Sequence, residues 1–198
     1  LNSVNGLTTG VITLTGVTTV SGTLAEIKTA YASNSAGTIT GLGDEAISIS
    51  DLGTVVSASD VADIEALTTG AVTVALSGTT ITATSLNSLD ASSTQSVNAG
   101  GVATLTGTAA DVNTAYASSG ISGLGDEAVT LSDTSVAAST LSTVDGNTTG
   151  SVNAALVTTL TGTAAEVTTA LTSSGMSGLG DEAVTISDTS IAVSALQT

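Results

Sequence analysis

Several residue types that most folded proteins use are missing or scarce in this 198-residue sequence. It has no Phe, Trp, Pro, Cys or His, two Tyr, one Met and a single basic residue, Lys28. Large aromatic side chains supply much of a globular core, so their scarcity favours a thin core with one layer of Leu, Ile and Val in each structural repeat. Without Cys there is no disulfide framework. Without His or Cys, no nucleophile–base pair can be built on those residues.

Positive charge is also nearly absent, and the formal net charge is −16. Binding to nucleic acid or to an anionic membrane surface depends on Lys and Arg, so neither partner is predicted. No apolar run is long enough to span a bilayer, so we expect no membrane insertion of this segment. Disorder is not expected either, because 41% of the residues are hydrophobic and only 9% are charged.

What the sequence does contain is internal repetition. Gly-Leu-Gly-Asp-Glu-Ala-Val-Thr occurs at residues 123–130 and again at 178–185, and a variant begins at Gly41. Residues 104–139 and 159–194 are identical at 28 of 36 positions. Such self-similarity is typical of repeat arrays, and we predict a single continuous array over residues 1–198 with about seven coils of two alternating types. We expect the sequence to be part of a longer chain or fibre.

Short strands are predicted where an aliphatic residue stands between two Ser or Thr residues. Because strand side chains alternate between faces, stacked strands would form one aliphatic ladder flanked by hydroxyl ladders. The predicted strand centres, 24 to 32 residues apart, are Val20, Ile49, Ile81, Leu105, Leu131, Leu160 and Ile186. A second short strand is expected within residues 151–162.

A short helix is predicted after most strands. Apolar residues recur there at helical spacing. These sets are Ile27, Ala30 and Tyr31; Val61, Ile64 and Leu67; Val112, Ala115 and Tyr116; Ala138, Leu141 and Val144; and Val167, Ala170 and Leu171. Thr23 with Glu26, and Thr163 with Glu166, fit the capping box. Gly120, Gly175 and the turn-rich residues 145–147 are predicted to end helices.

Together these patterns predict the fold class. It is an α/β repeat solenoid, with a parallel sheet of short strands and short capped helices on one side, since crossovers between parallel strands are nearly always right-handed. An all-β solenoid is the alternative.

The repeats resemble those of very large cell-surface or exported proteins of marine cyanobacteria, a group that includes a surface protein associated with swimming. The resemblance rests on three motifs and covers essentially the whole chain. They are Thr-Leu-Thr-Gly-Thr-Ala-Ala-Asp/Glu-Val, Ser-Gly-Leu-Gly-Asp-Glu-Ala-Val-Thr and a turn containing Thr-Thr-Gly. It implies a location outside the cell more than any activity. The chain lacks both the Gly-Gly-x-Gly-x-Asp nonapeptides of calcium-loaded toxins and the Asn ladder of leucine-rich repeats.

The repeated Asp-Glu pairs are the candidate metal ligands: Asp44, Glu45, Asp126, Glu127, Asp181 and Glu182. Asp51, Asp133 and Asp188 follow a few residues later. Clustered carboxylates and turn carbonyls are the ligands that calcium prefers, so calcium is the candidate ion. The alternative is structural: the Asp of each pair caps a turn through backbone amides, while the Glu is solvated. No other cofactor is expected.

The remaining motifs offer no clear chemistry. Paired carboxylates also serve glycosidases, but here they repeat with the fold and lack an aromatic sugar platform. The Gly-Leu-Gly triplet is too short for a dinucleotide fingerprint. Regular Thr columns resemble ice-binding faces, although Thr is also a common solvent-facing strand residue. We therefore expect a protein that is not an enzyme.

The sequence favours a structural extracellular protein that associates with itself into a fibre, sheath or surface layer. The alternative is an adhesin-type stalk that binds calcium, glycans or ice through its acidic turns or its Ser/Thr face.

Overall fold

A computed structural model describes residues 1–50, 58–76, 80–94 and 96–191. Within these ranges the protein is an α/β structure with seven helices, and every recorded strand pair is parallel. The chain forms two compact units that alternate along the sequence. Unit 1 lies within Leu1–Gly78, Ser88–Gly101 and Ser119–Gly123, and unit 2 within Thr79–Asn87, Val102–Ser118 and Leu124–Thr198. The single array over residues 1–198 stays a prediction.

In chain order the elements are α1 (Asn2–Asn5), β1 (Ile12–Thr13), β2 (Thr19–Gly22), α2 (Leu24–Ser35), β3 (Ile39–Thr40), β4 (Ala46–Ile49), α3 (Ala58–Glu65), β5 (Val72–Ala75), β6 (Thr80–Thr82), α4 (Ala83–Ser92), β7 (Val97–Asn98), β8 (Thr104–Gly107), α5 (Ala109–Ala117), β9 (Ile121–Ser122), β10 (Ala128–Leu131), β11 (Ser135–Ala137), α6 (Ala138–Asn147), β12 (Val152–Asn153), β13 (Thr159–Gly162), α7 (Ala164–Thr172), β14 (Met176–Ser177) and β15 (Ala183–Ile186). No helix in the described ranges is both long enough and apolar enough to cross a bilayer.

Unit 1 contains two sheets. The larger has the order β2-β4-β5-β7-β9, and the smaller pairs β1 with β3. Neighbouring strands lie 23 to 27 residues apart in sequence, as in the pairs Val74↔Val97 and Val20↔Ile47.

Unit 2 also contains two sheets, with the orders β14-β12-β10-β8-β6 and β11-β13-β15. Here the step between paired residues is 24 in nearly every case. Ile81 pairs with Leu105 and Leu105 with Val129, while in the other sheet Val136 pairs with Leu160. The same step therefore recurs in both sheets of this unit.

The predicted single ladder of strand centres is wrong in register and in sheet membership. Leu105 pairs with Val129 and not with Leu131, which lies opposite Gly107. Leu160 lies in the sheet of β11, β13 and β15, whereas Leu105 lies in the other sheet. A shift of two residues keeps every side chain on its face, so the alternating pattern alone could not detect it. The 55-residue sequence repeat also relates strands of different sheets, since β10 and β15 carry the same motif.

The predicted alternation of faces is confirmed in the interior strands. Ile49, Leu105, Leu131 and Leu160 are all 1% exposed or less, and the Ser and Thr residues beside them are exposed or half-buried. The predicted second strand within residues 151–162 is confirmed, because β12 and β13 both lie there.

Local capping chemistry sets the starts of α2 and α7. Thr23 with Glu26 begins α2 and Thr163 with Glu166 begins α7, each as a complete capping box. Most residues of the predicted helical faces are buried, as Ile27 and Leu141 illustrate, but Leu67 and Leu171 are 37% and 41% exposed. In unit 2, α5 packs beside α6 and α6 beside α7.

The predicted helix ends are partly wrong. Residues 145–147 lie inside α6, which continues to Asn147. Leu67 lies beyond the end of α3. Gly120 and Gly175 follow helices that have already ended, and a Cβ at either position would overlap the carboxylate of Asp90 or Asp145. These two glycines therefore permit a close approach of a neighbouring side chain.

Candidate functional site

The three Gly-Leu-Gly-Asp-Glu segments at residues 41–45, 123–127 and 178–182 form turns of one conformation, and we call them the first, second and third acidic turns. Both glycines of each turn have positive φ, for example +82° at Gly123 and +136° at Gly125. Positive φ disfavours residues that carry a Cβ. The glycines therefore shape the turn, and the acidic residues follow at fixed positions.

In the first acidic turn, Glu45 folds back over its own backbone. Its Oε2 accepts hydrogen bonds from the Gly43 amide at 2.9 Å and from the Asp44 amide at 3.2 Å. Its Oε1 accepts a further hydrogen bond from the Tyr31 hydroxyl of α2. Glu45 is only 2% exposed. The carboxyl group is thus buried, and its hydrogen bonds are all local or come from the adjacent helix.

The second acidic turn repeats this arrangement. Glu127, also 2% exposed, accepts from the Gly125 amide at 2.9 Å and the Asp126 amide at 3.3 Å. The Tyr116 hydroxyl of α5 donates to its Oε1. Burial and the hydrogen bond to the Glu127 carboxylate raise the pKa of Tyr116, while a hydrogen bond with Thr148 acts in the opposite sense. Tyr116 is therefore held as a neutral donor.

The third acidic turn has the same backbone but fewer partners. Glu182 accepts from the Gly180 amide at 2.9 and 3.0 Å, so the turn closes as in the other copies. The position that Tyr116 occupies in the earlier repeat is taken by Leu171, which is 41% exposed. Glu182 is half-buried.

The Asp residues of the three pairs point into solvent. Asp44, Asp126 and Asp181 are all exposed. The structural alternative stated above therefore had the two roles reversed, because the Glu binds the turn amides and the Asp is solvated. The Glu side chain, one methylene group longer than that of Asp, reaches back two residues to the glycine amide.

The six candidate metal ligands thus divide into solvent-facing Asp and hydrogen-bonded Glu. Within the described ranges, no three acidic side chains come close enough together to hold a metal ion. Asp51 lies outside the described residues. Calcium binding at Asp44, Glu45, Asp126, Glu127, Asp181 and Glu182 stays a prediction.

Asp133 and Asp188 have a different role, since each caps a helix from 24 residues further along the chain. Asp133 Oδ2 accepts from the Ala109 amide at 2.7 Å, at the start of α5. Asp188 Oδ2 accepts from the Ala164 amide at the same distance, at the start of α7. A carboxylate at a helix N-terminus accepts a hydrogen bond from a free amide and interacts favourably with the positive end of the helix dipole.

Two Thr-Thr-Gly segments cover the first two acidic turns. The Thr68 hydroxyl donates to the Glu45 carbonyl at 2.7 Å, and the Thr69 amide donates to the Gly43 carbonyl at 2.8 Å. Gly70 lies so close that a Cβ there would overlap the Glu45 carbonyl oxygen.

In unit 2 the same contacts join Thr148 to the Glu127 carbonyl and Thr149 to the Gly125 carbonyl, at 2.7 and 2.8 Å. Gly150 takes the place of Gly70, and a Cβ there would overlap the Glu127 carbonyl oxygen. The Thr-Thr-Gly motif is therefore a docking element for an acidic turn.

Sequence reasoning missed both the Tyr–Glu pairs and this docking. A signal was present, because the only two Tyr residues precede Glu45 and Glu127 by 14 and 11 residues. The one Lys is also engaged, since Lys28 Nζ lies 2.8 Å from Asp60 and 3.3 Å from Asp63.

Compared with protein-family models, with curated proteins and with solved structures, the sequence matches none of them.

Proposed function

We propose that this chain is a structural repeat protein that forms or extends a fibre, sheath or surface layer outside the cell. In this proposal the parallel strands belong to a solenoid, in which coils of about 24 residues stack on one another. The recurring 24-residue step between paired residues in both sheets of unit 2 supports that arrangement.

The observation that carries the proposal is that the polar motifs form hydrogen bonds with the protein's own backbone. Glu45, Glu127, the Thr-Thr-Gly segments and Asp133 each bind the backbone of their own turn or of a segment 21 to 26 residues away. A catalytic or ligand-binding site needs polar groups that converge on a space. These groups converge on the protein's own backbone, which favours a role in holding the structure together.

The location outside the cell is proposed from the sequence resemblance and from the acidic composition. Antibody labelling of intact cells that produce the full protein would test it. Labelling without permeabilisation is expected, and a signal that appears only after permeabilisation would contradict an extracellular location.

Self-association is the part of the proposal that purified protein can test. Sedimentation velocity over a range of concentrations, followed by negative-stain electron microscopy, should show growing assemblies. Dispersed monomers at the highest concentration would contradict the fibre and favour the adhesin-type stalk.

A further inference from the structure

Acidic turns and Thr-Thr-Gly segments each occur three times, but only two of each are paired in the described residues. The segment at 68–70 covers the first acidic turn, and the segment at 148–150 covers the second. The third acidic turn, at residues 178–182, and the segment Thr8-Thr9-Gly10 are left over. We infer that the third acidic turn of one copy receives residues 8–10 of a second copy of this chain. The inference rests on the proposed self-association and names the contact that produces it.

The receiving turn is already formed. Gly178 and Gly180 have φ of +79° and +134°, close to the values of +82° and +136° in the covered second turn. The carboxylate of Glu182 holds the Gly180 amide as Glu127 holds that of Gly125. In each covered turn, the carbonyls of the second glycine and of the Glu accept hydrogen bonds from a Thr-Thr-Gly segment. No donor to the Gly180 or Glu182 carbonyl is recorded among the described residues.

The inserting segment is formed as well. The Gly10 amide donates to the Thr8 hydroxyl oxygen at 3.0 Å. The same bond is 2.9 Å long in both docked segments, from Gly70 to Thr68 and from Gly150 to Thr148. Thr8, Thr9 and Gly10 are all exposed. Little conformational entropy would be lost on docking, because the segment already has its docked shape.

The residues before the free segment indicate the same partner. Residues 1–10 and 141–150 are identical at six of ten positions. In the second set, Leu141 and Val144 are completely buried, whereas the matching Leu1 and Val4 are 43% and 56% exposed. Leu7 is 88% exposed. Covering such a row of aliphatic residues would stabilise an association by removing apolar surface from water.

The strands that follow the Thr-Thr-Gly segments and the acidic turns define which residues would pair across the contact. After each docked segment the next strand pairs with the strand of the acidic turn, as Val72 does with Ile47 and Val152 with Val129. The equivalent pair in the proposed contact is Ile12 of β1 with Val184 of β15. In the described residues β1 pairs only with β3 and β15 only with β13, so each has one edge available for it.

The two surfaces are different, so the contact is head-to-tail. Such a heterologous contact leaves one free turn and one free segment on every dimer and adds further copies until a ring closes. A Thr-Thr-Gly segment elsewhere in a longer chain is the competing occupant, and the experiments below separate the two.

The first experiment uses Gly10→Ala, with Gly146→Ala as the matched control. A Cβ at Gly10 meets only the Thr8 hydroxyl of its own copy, at 3.4 Å, and φ there is not in the positive range. In the docked position it would overlap the Glu182 carbonyl of the second copy, as a Cβ at Gly150 overlaps that of Glu127. A Cβ at Gly146 meets nothing within 4 Å.

We expect Gly10→Ala to weaken association measured by sedimentation velocity about tenfold, with an unchanged melting curve, because the added methyl group would overlap the carbonyl that the segment docks on. Gly146→Ala should associate like the wild type. Equal association of wild type and Gly10→Ala would overturn the inference while leaving the proposed function standing. A wild type that stays monomeric would overturn both.

The second experiment maps the contact directly, since the chain has no Cys. One preparation carries Thr13→Cys and the other Thr185→Cys, two positions that face each other in the proposed register and are both exposed. Neighbouring strands bring Cα atoms within disulfide range. Mild oxidation of the mixture should give the mixed disulfide dimer.

The control mixture contains Thr13→Cys and Thr130→Cys. It should not cross-link, because the edge of β10 that would receive β1 is already paired with β12. Equal cross-linking in both mixtures would overturn the inference. Association without cross-linking in the first mixture would point to the competing occupant and overturn it as well.

Discussion

The second and third acidic turns have the same eight-residue sequence from glycine to threonine and different surroundings. In both, the Glu carboxylate accepts the amide of the second glycine at 2.9 Å. Only Glu127 gains a Tyr hydroxyl and a covering Thr-Thr-Gly segment, and only Glu127 is fully buried. The turn therefore closes through its own residues, while its burial depends on segments far away in the sequence.

The comparison separates two contributions to stability. The hydrogen bond from the second glycine amide is common to the two turns. The difference between matched substitutions therefore measures what the Asp126 amide, the Tyr and the Thr-Thr-Gly segment add.

Removal of the carboxylate should have the largest effect. Glu127→Ala leaves two turn amides and the Tyr116 hydroxyl without their acceptor in a buried place, which should lower the free energy of unfolding by about 3 kcal/mol. Glu182→Ala removes the acceptor of a single amide, that of the exposed Gly180, which water can reach, and should cost less than about 1 kcal/mol. Urea unfolding of the two variants measures both values. Equal losses would mean that burial adds nothing to the bond network of the second turn.

Obstruction of the covering segment should come next. Gly150→Ala places a methyl group against the Glu127 carbonyl and should cost about 2 kcal/mol. Gly146→Ala adds the same methyl group inside α6, where nothing lies within 4 Å, and should be neutral or stabilising by up to about 1 kcal/mol. Thermal melts compare the two variants. A Gly150→Ala protein as stable as wild type would show that the segment does not lie on the turn.

Removal of the Tyr hydroxyl should have a moderate effect that depends on pH. Tyr116→Phe should cost about 1 kcal/mol at neutral pH. The pKa of Tyr116 is raised in the folded protein, so the unfolded chain loses this proton first as the pH rises above about 10. Stability from this group is thus complete below pH 10 and is lost above it. Urea unfolding at pH 8 and pH 11 should show a smaller loss in Tyr116→Phe than in wild type, and an equal loss would contradict the role given to Tyr116.

The exposed acids should have the smallest effect. Asp126→Asn and Asp181→Asn should each change stability by no more than about 0.5 kcal/mol, because both side chains are solvated. Salt should stabilise the protein by screening its net charge of −16, and sodium, magnesium and calcium should act alike at matched ionic strength. Saturable stabilisation by calcium at low concentration, abolished by either Asn substitution, would instead establish a calcium site.

Features that depend on neighbouring residues could be predicted from the sequence. Thr23 with Glu26 and Thr163 with Glu166 cap helices as expected, because capping involves residues three apart. The buried face of Leu131 follows from the period of a strand.

Features that depend on distant pairing could not be predicted in the same way. The alternating pattern is unchanged by a shift of two residues, so it left the partner of Leu105 undetermined. It also could not show that the segments 104–107 and 159–162, which are identical in sequence, lie in different sheets. The roles within each Asp-Glu pair depend on the reach of the side chain and on a Tyr 11 or 14 residues earlier.

Hydrogen–deuterium exchange of two matching segments tests most directly whether Thr-Thr-Gly docks on acidic turns. The Thr149 amide donates to Gly125, and the matching Thr9 amide is assigned to a second copy. We predict that residues 147–152 are protected at every protein concentration, and that residues 7–12 exchange rapidly in dilute solution and become protected as the protein associates. If residues 7–12 exchange as fast in the assembly as in the monomer, the docking between two copies is contradicted. If residues 147–152 exchange rapidly, the docking of Thr-Thr-Gly on the acidic turn within a single copy is contradicted.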